Sequence, residues 1–64
     1  MGNKIKEIRA KKGVSQEELA LKSGISRTTI SMLENDPSRN TSTKTMTAIA
    51  HALGSTVEKV FFSH

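Results

Sequence analysis

The chain has 64 residues, of which 34% are apolar, with four Gly, one Pro and no Cys. This length suits one hydrophobic core rather than two, and the sequence shows no membrane span, no secretory signal and no thiol for a disulfide or a metal. Ten Lys and Arg against six Asp and Glu give a net charge of +4, which favours an anionic partner.

Apolar residues recur every three or four positions without sustained alternation of period two, and this spacing predicts five short helices and no strand. The first helix is predicted at residues 4–12, with Asn3 as its N-cap and Gly13 at its end. Five of the ten cations lie in this segment, where they form either a solvated helix face or part of a basic surface. They are Lys4, Lys6, Arg9, Lys11 and Lys12.

The second and third helices are predicted to follow one another across a short connection. Ser15 and Glu18 have the spacing of a capping box, which predicts a helix at residues 16–23. Ser26 is then the predicted N-cap of a third helix at residues 27–35. The Gly-Ile-Ser connection between them is too short for anything but a tight angular turn.

The fourth and fifth helices are predicted beyond a turn-rich loop at residues 36–41. The fourth is predicted to start at Thr41 or Ser42 and to end at Gly54. It carries the clearest amphipathic stripe of the chain, which consists of Met46, Ile49, Ala50 and Leu53. Thr56 is the predicted N-cap of a last short helix. The fold class predicted from these elements is all-α.

The second and third helices carry the pattern of a helix-turn-helix motif. Ala20 is small enough to let two helices approach closely, and Gly24 tolerates the positive φ that ends the first of them. The apolar wedge that sets their crossing angle consists of Leu19, Ile25, Ile30 and Leu33. Together with Gln16, seven residues within eighteen match the spacing of this motif.

On these residues the chain resembles the phage-repressor-like helix-turn-helix proteins, the family of the lambda repressor and Cro. The resemblance covers nearly the whole chain and includes Ile8-Arg9, Ser15-Gln16-Glu17-Glu18-Leu19-Ala20 and the segments 30–35, 49–54 and 57–61. It implies a compact five-helix, lambda-repressor-like domain at residues 1–64. Such a domain binds operator DNA, usually as a symmetric dimer.

The resemblance makes the third helix the recognition helix, with its N-terminal half at the base edges of the major groove. The side chains that point away from the Ile30 and Leu33 core face are predicted to contact bases. They are Arg27, Thr28, Ser31 and Met32. Arg27 can bind guanine O6 and N7 in bidentate fashion, whereas Met32 either presses on a thymine methyl group or packs in the core.

Five further residues are predicted from the resemblance to contact phosphates, which fix the register of a protein on DNA rather than read its sequence. They are Gln16, Ser26, Asn35, Arg39 and Lys44. Gln16 matches the family residue that bonds a phosphate at the start of the second helix, with a plain exposed residue as the alternative. Arg39 and Lys44 are also compatible with solvated charges that contact nothing.

In the resembled family an arginine of the first helix pairs with the glutamate that ends the third. Arg9 and Glu34 stand at these positions. The resemblance therefore implies a structural ion pair that locks the recognition helix to the scaffold, with two independent surface charges as the alternative. A paired Glu34 would not be a catalytic acid.

The end of the chain contains a candidate dimer interface. Adjacent Phe61 and Phe62 point about 100° apart on a helix, so they cannot both face one core. We expect Phe61 to pack inside and the interface to consist of Val57, Val60 and Phe62, unless Phe62 folds over the edge of the core. A symmetric dimer would place its recognition helices about 34 Å apart on a palindromic operator.

We expect no enzyme activity, no metal and no cofactor, because the acidic residues and the two His show no ligand spacing and no Gly-rich phosphate loop is present. We predict a cytoplasmic, sequence-specific transcriptional regulator, a homodimeric repressor that binds double-stranded DNA without a membrane contact or small-molecule effector. Two alternatives stay open. One is a protein-interaction module that keeps the fold, and the other is a small RNA binder, which the scarcity of aromatic residues disfavours.

Overall fold

The computed structural model describes residues 3–36 and 41–62, and this part of the chain forms five α-helices and no β-strand. The helices are α1 (Ile5–Lys11), α2 (Gln16–Ser23), α3 (Arg27–Asn35), α4 (Thr43–Ala52) and α5 (Val57–Phe61). The predicted all-α, five-helix architecture is therefore confirmed for these residues. None of these five helices is long and apolar enough to cross a lipid bilayer.

The start of α1 differs from the prediction. Lys4 rather than Asn3 is the N-cap, and the Lys4 side chain makes no capping hydrogen bond. Asn3 lies one residue earlier, where its Oδ1 accepts from the amide of Ile5 at 3.2 Å and its Nδ2 donates to the carbonyl of Leu33 at 2.9 Å. The Asn3 side chain thus joins the start of α1 to α3, a contact between residues far apart in sequence.

The helices α2 and α3 begin and end where their capping residues predict. The Ser15 hydroxyl accepts from the Glu18 amide at 3.0 Å, and the Glu18 carboxylate accepts from the Ser15 amide at 3.3 Å, which completes the capping box. Gly24 ends α2 at a φ of 73°, in the left-handed region that a residue with a Cβ rarely adopts. The Ser26 hydroxyl caps α3 by accepting from the Thr29 amide at 3.1 Å.

The helices α4 and α5 also begin at hydroxyl caps. Of the two predicted starts for α4, Ser42 is the N-cap, because its hydroxyl accepts from the Thr45 amide at 3.2 Å, and Thr41 precedes the helix. Thr56 caps α5 as predicted, since its hydroxyl accepts from the Lys59 amide at 3.1 Å. Local side-chain hydrogen bonds therefore set the start of four of the five described helices.

One hydrophobic core joins the five helices. It consists of Ile5, Leu19, Ile30, Leu33, Ile49, Ala50, Leu53 and Val60, each at most 2% exposed. Helix α2 packs against α3 and α4, α4 packs against α5, and α1 packs against α3 and α5. The amide of Lys4 also donates to the carbonyl of Val60 at 2.7 Å, which holds the start of α1 against α5. Because α3 contributes Ile30 and Leu33 to this core, its opposite face is directed outward.

The predicted dimer interface is wrong at Val60. This side chain has no exposed surface and belongs to the core, so a second copy could not reach it without opening the domain. Val57 is half-buried and packs against the core, as does Phe61. Of the predicted interface residues, Phe62 has the most accessible side chain, with 54% of its surface exposed.

Candidate nucleic-acid interface

The side chains predicted to contact bases share the face of α3 that lies opposite its two core residues. Together with Gln16, the first residue of α2, they line one open depression of about 370 Å³. The lining residues are Gln16, Arg27, Thr28, Ser31 and Met32. Ser31 is half-buried, whereas the other three α3 side chains are exposed. The structure thus brings together four predicted base contacts and one predicted phosphate contact.

Two other predicted phosphate contacts, Ser26 and Asn35, lie at the two ends of α3 and outside the depression. Both are exposed. The Ser26 hydroxyl accepts from the Thr29 amide and donates to Thr29 Oγ1 at 2.9 Å, so a phosphate contact by this hydroxyl would have to replace the second bond. Asn35 Nδ2 donates to Ser31 Oγ at 3.4 Å, a long contact that links the end of α3 to the depression.

The last two predicted phosphate contacts belong to the segment after α3. Lys44 is exposed in the first turn of α4 and does not line the depression. Arg39 lies outside the described residues, and its contact stays a prediction. The structure therefore does not place Lys44 among the α3 residues that line the depression.

Arg9 and Glu34 form a bidentate ion pair between α1 and α3. Arg9 Nε donates to Glu34 Oε2 at 2.9 Å, and Arg9 Nη2 donates to Glu34 Oε1 at 3.1 Å. The remaining nitrogen, Nη1, donates to the carbonyl of Val14 at 2.9 Å. The two side chains are only 17% and 3% exposed, so salt screens this pair weakly. The pair attaches the end of α3 to α1 and to the segment before α2.

Gln16 joins this ion pair through a contact that the sequence pattern does not predict. Its Nε2 donates to Glu34 Oε1 at 3.0 Å. The amide carries two N–H hydrogens, so one can bind Glu34 while the other is left for an anion at the depression. The bond to Glu34 and a phosphate contact are therefore compatible. A helix-start glutamine at this spacing signals the motif, but it does not reveal a partner 18 residues away.

These contacts set the pKa of Glu34. Burial of the carboxylate is the largest single effect and raises the pKa, but the hydrogen bonds from Arg9 and Gln16 and the charges of Arg9 and Lys6 together lower it by more. The net result is a pKa below the ordinary value of 4.5. For Arg9, the hydrogen bond to Glu34 raises the pKa by more than burial lowers it.

Acid is expected to weaken the attachment of α3. Because the pKa of Glu34 is lower in the folded than in the unfolded protein, the ion pair contributes fully above the ordinary value of 4.5, and its contribution is lost as the pH falls through the folded pKa. Carbon-13 NMR titration of the folded protein should give a Glu34 carboxyl midpoint below 4.5. A midpoint above that value would show that burial outweighs the hydrogen bonds.

Comparison with known proteins gives one family match. The profile of a family described as helix-turn-helix matches residues 5–60, which include all of α1 to α4 and most of α5. A search of curated proteins found no match. The matched span contains every residue that lines the depression and both members of the ion pair between Arg9 and Glu34.

Proposed function

This chain belongs to the Cro/C1-type helix-turn-helix family, and on that premise we propose that it is a sequence-specific transcriptional repressor that binds a palindromic operator as a homodimer. The family consists of non-enzymatic, DNA-binding regulator domains. DNA binding and a role in transcription regulation are therefore established at the level of the family, and the absence of an enzyme activity follows in the same way. The repressor role, the dimer and the residues that contact DNA are the proposal.

The observation that carries the proposal is the open depression on the outward face of α3. Three of its four α3 side chains are polar or charged, and they present hydrogen-bond groups that match the donors and acceptors of base edges in the major groove. An interaction module would need a mainly apolar face here, and Met32 is the one large apolar side chain of the lining. The net charge of +4 adds attraction to the phosphate backbone.

We assign the positioning contacts to residues around this depression. Gln16 is held by Glu34 at its edge, and its second amide hydrogen can reach a phosphate. Ser26, Asn35 and Lys44 are exposed and would flank the groove, and Arg39 is assigned the same role from the family resemblance alone. Contacts of this kind hold α3 in register and carry no sequence information of their own.

We propose that residues 1–64 act as one DNA-binding domain in the cytoplasm, without a cofactor or a small-molecule effector. The lack of Cys fits a reducing compartment, and the family profile occupies almost the whole chain. The concentration of the protein and its affinity for the operator would then set the degree of repression, because an occupied promoter is closed to polymerase.

A second copy of the chain is proposed to cover Phe62. This side chain is 54% exposed at the end of α5, whereas the adjacent Phe61 packs against the core. A core of this size contributes only about 3–5 kcal/mol, so burial of further apolar surface in a symmetric contact would stabilise the fold. Half-buried Val57 is the second residue that we keep in this interface.

The proposed dimer predicts a measurable effect of Phe62→Ala. We expect the dimer dissociation constant to rise by about tenfold or more, because burial of an aromatic side chain contributes about 1.5–3 kcal/mol and each 1.4 kcal/mol is about a factor of ten. Leu21→Ala is the matched control, since Leu21 is 82% exposed on α2 and outside the proposed interface. Analytical ultracentrifugation checks both variants. A wild-type monomer at high micromolar concentration and on DNA would rule out the homodimer.

Selection of bound duplexes from a random pool tests the proposed function. A sequence-specific protein should enrich one palindromic sequence and bind it about a thousandfold or more tightly than random DNA. The affinity should also fall as salt rises, because each phosphate contact releases counterions. A pool without enrichment, in which every duplex binds equally, would contradict a sequence-specific regulator. Enrichment of a sequence without dyad symmetry would rule out a palindromic operator but would still support sequence-specific binding.

A further inference from the structure

The four α3 residues of the depression form two adjacent columns of different chemistry. Residues four apart on a helix lie one above the other on the same face. Arg27 and Ser31 are spaced in this way and form a polar column, whereas Thr28 and Met32 form a column that carries a methyl group and a thioether. An apolar strip therefore runs beside the guanidinium group within a surface that is otherwise hydrophilic.

Met32 is the one large apolar side chain that lines the depression. Its side chain is 39% exposed, while Ile30 and Leu33 of the same helix fill the core. The other large exposed apolar side chains of the described residues, Leu21 and Phe62, do not line the depression. Contact between two apolar groups in water removes apolar surface from water and lowers the free energy of the system. On base edges in the major groove, that group is the C5-methyl of a pyrimidine.

We propose that the column of Thr28 and Met32 is a specificity site for the C5-methyl group of a pyrimidine, next to a guanine that Arg27 binds. The inference rests on the proposed function, because it requires α3 to lie in the major groove. The two columns are about 100° apart around the helix axis, so they can contact different base pairs. The unbranched thioether of Met32 can adapt its rotamer to the methyl group.

Two bases carry this methyl group, thymine and 5-methylcytosine. Removing the methyl group from the base removes the apolar contact and leaves the hydrogen-bonding edge unchanged. We expect binding to weaken by about fourfold, which corresponds to about 0.8 kcal/mol for one buried methyl group. The effect should be confined to one position in each half-site.

The test changes the DNA, so that folding of the protein is not at risk. The full chain is titrated with its selected operator, in which each thymine of a half-site is replaced in turn by uracil and each cytosine by 5-methylcytosine. Binding about fourfold weaker with uracil at one position assigns the methyl group to thymine. Binding about fourfold tighter with 5-methylcytosine at one position assigns the methyl group to 5-methylcytosine. No change at any position, with specific binding intact, overturns the proposal. Absence of specific binding overturns the proposed function and this inference with it.

Protein variants test whether the difference in affinity between thymine and uracil arises from the column of Thr28 and Met32. Met32→Ala should abolish the difference between thymine and uracil, and Thr28→Ser, which removes only a methyl group from an exposed residue, should reduce it. Leu21→Ala truncates an apolar side chain that is even more exposed and lies outside the depression, so it should keep the full difference. An unchanged difference in both Met32→Ala and Thr28→Ser would overturn the assignment to this column.

Discussion

Replacing Glu34 with alanine is expected to unfold a large fraction of the protein at room temperature. The change leaves the Arg9 guanidinium, in a side chain only 17% exposed, without the carboxylate that accepts two of its hydrogen bonds. Gln16 loses its partner as well. Removal of one member of a fully buried ion pair costs about 3–5 kcal/mol, and we expect this partly buried pair to lie near the lower end of that range, which is still most of the stability expected of a core this small. Far-UV circular dichroism with urea titration measures this loss.

Glu7→Ala is the matched control for that variant. Glu7 also pairs with a cation, Lys4, but at 3.9 Å on the surface of α1, where its own side chain is 58% exposed. A pair of this kind contributes little, so we expect a change of less than about 0.5 kcal/mol in the free energy of unfolding. Similar losses for the two variants would contradict the role of the pair between Arg9 and Glu34 in attaching α3.

Replacing Arg27 with alanine is expected to remove the preference for one base pair of the operator while the fold stays intact. Arg27 is exposed at the first position of α3 and lines the depression. A bidentate contact to guanine contributes about 1–3 kcal/mol of discrimination, so affinity for the operator should fall by about 5- to 150-fold for each of the two half-sites. The variant should bind an operator altered at that base pair as well as it binds the original. Fluorescence anisotropy with the two duplexes measures this.

Lys44→Ala provides the contrast for Arg27→Ala. Lys44 carries the same charge and is also exposed, but it lies on α4 outside the depression. Loss of a phosphate contact should weaken binding to operator and random DNA by the same factor and flatten the salt dependence by about one unit of slope for each subunit. If Arg27→Ala behaved like Lys44→Ala, with equal losses on both kinds of DNA, Arg27 would not read a base.

The elements that sequence predicts best are those fixed by neighbours along the chain. The hydroxyl caps of Ser15 and Ser26 act over three residues, and Gly24 acts through its own φ, so both ends of α2 and the start of α3 follow from local rules. The prediction of Asn3 as the N-cap of α1 is wrong, and its side chain also donates to the carbonyl of Leu33, 30 residues away. Local capping rules contain no information about such a partner.

The candidate site shows the same division. Periodicity predicts which side of α3 is free, because Ile30 and Leu33 have a clear apolar spacing and the depression lies on the other side. The bond from Gln16 to Glu34 depends on how α2 packs beside α3, which spacing does not describe. The sequence prediction assigns Val60 to the dimer interface because α5 is short and apolar on more than one side. Only the packing of α5 shows which side meets the core.

An NMR titration of the isotope-labelled protein with its selected duplex tests most directly whether the outward face of α3 enters DNA. We predict the largest amide shifts and the intermolecular contacts to bases at Arg27, Thr28, Ser31 and Met32, with Gln16 shifted by a neighbouring phosphate. Intermolecular contacts confined to α1 or α5, with these α3 residues unperturbed, would contradict the assignment of the depression as the DNA-reading surface.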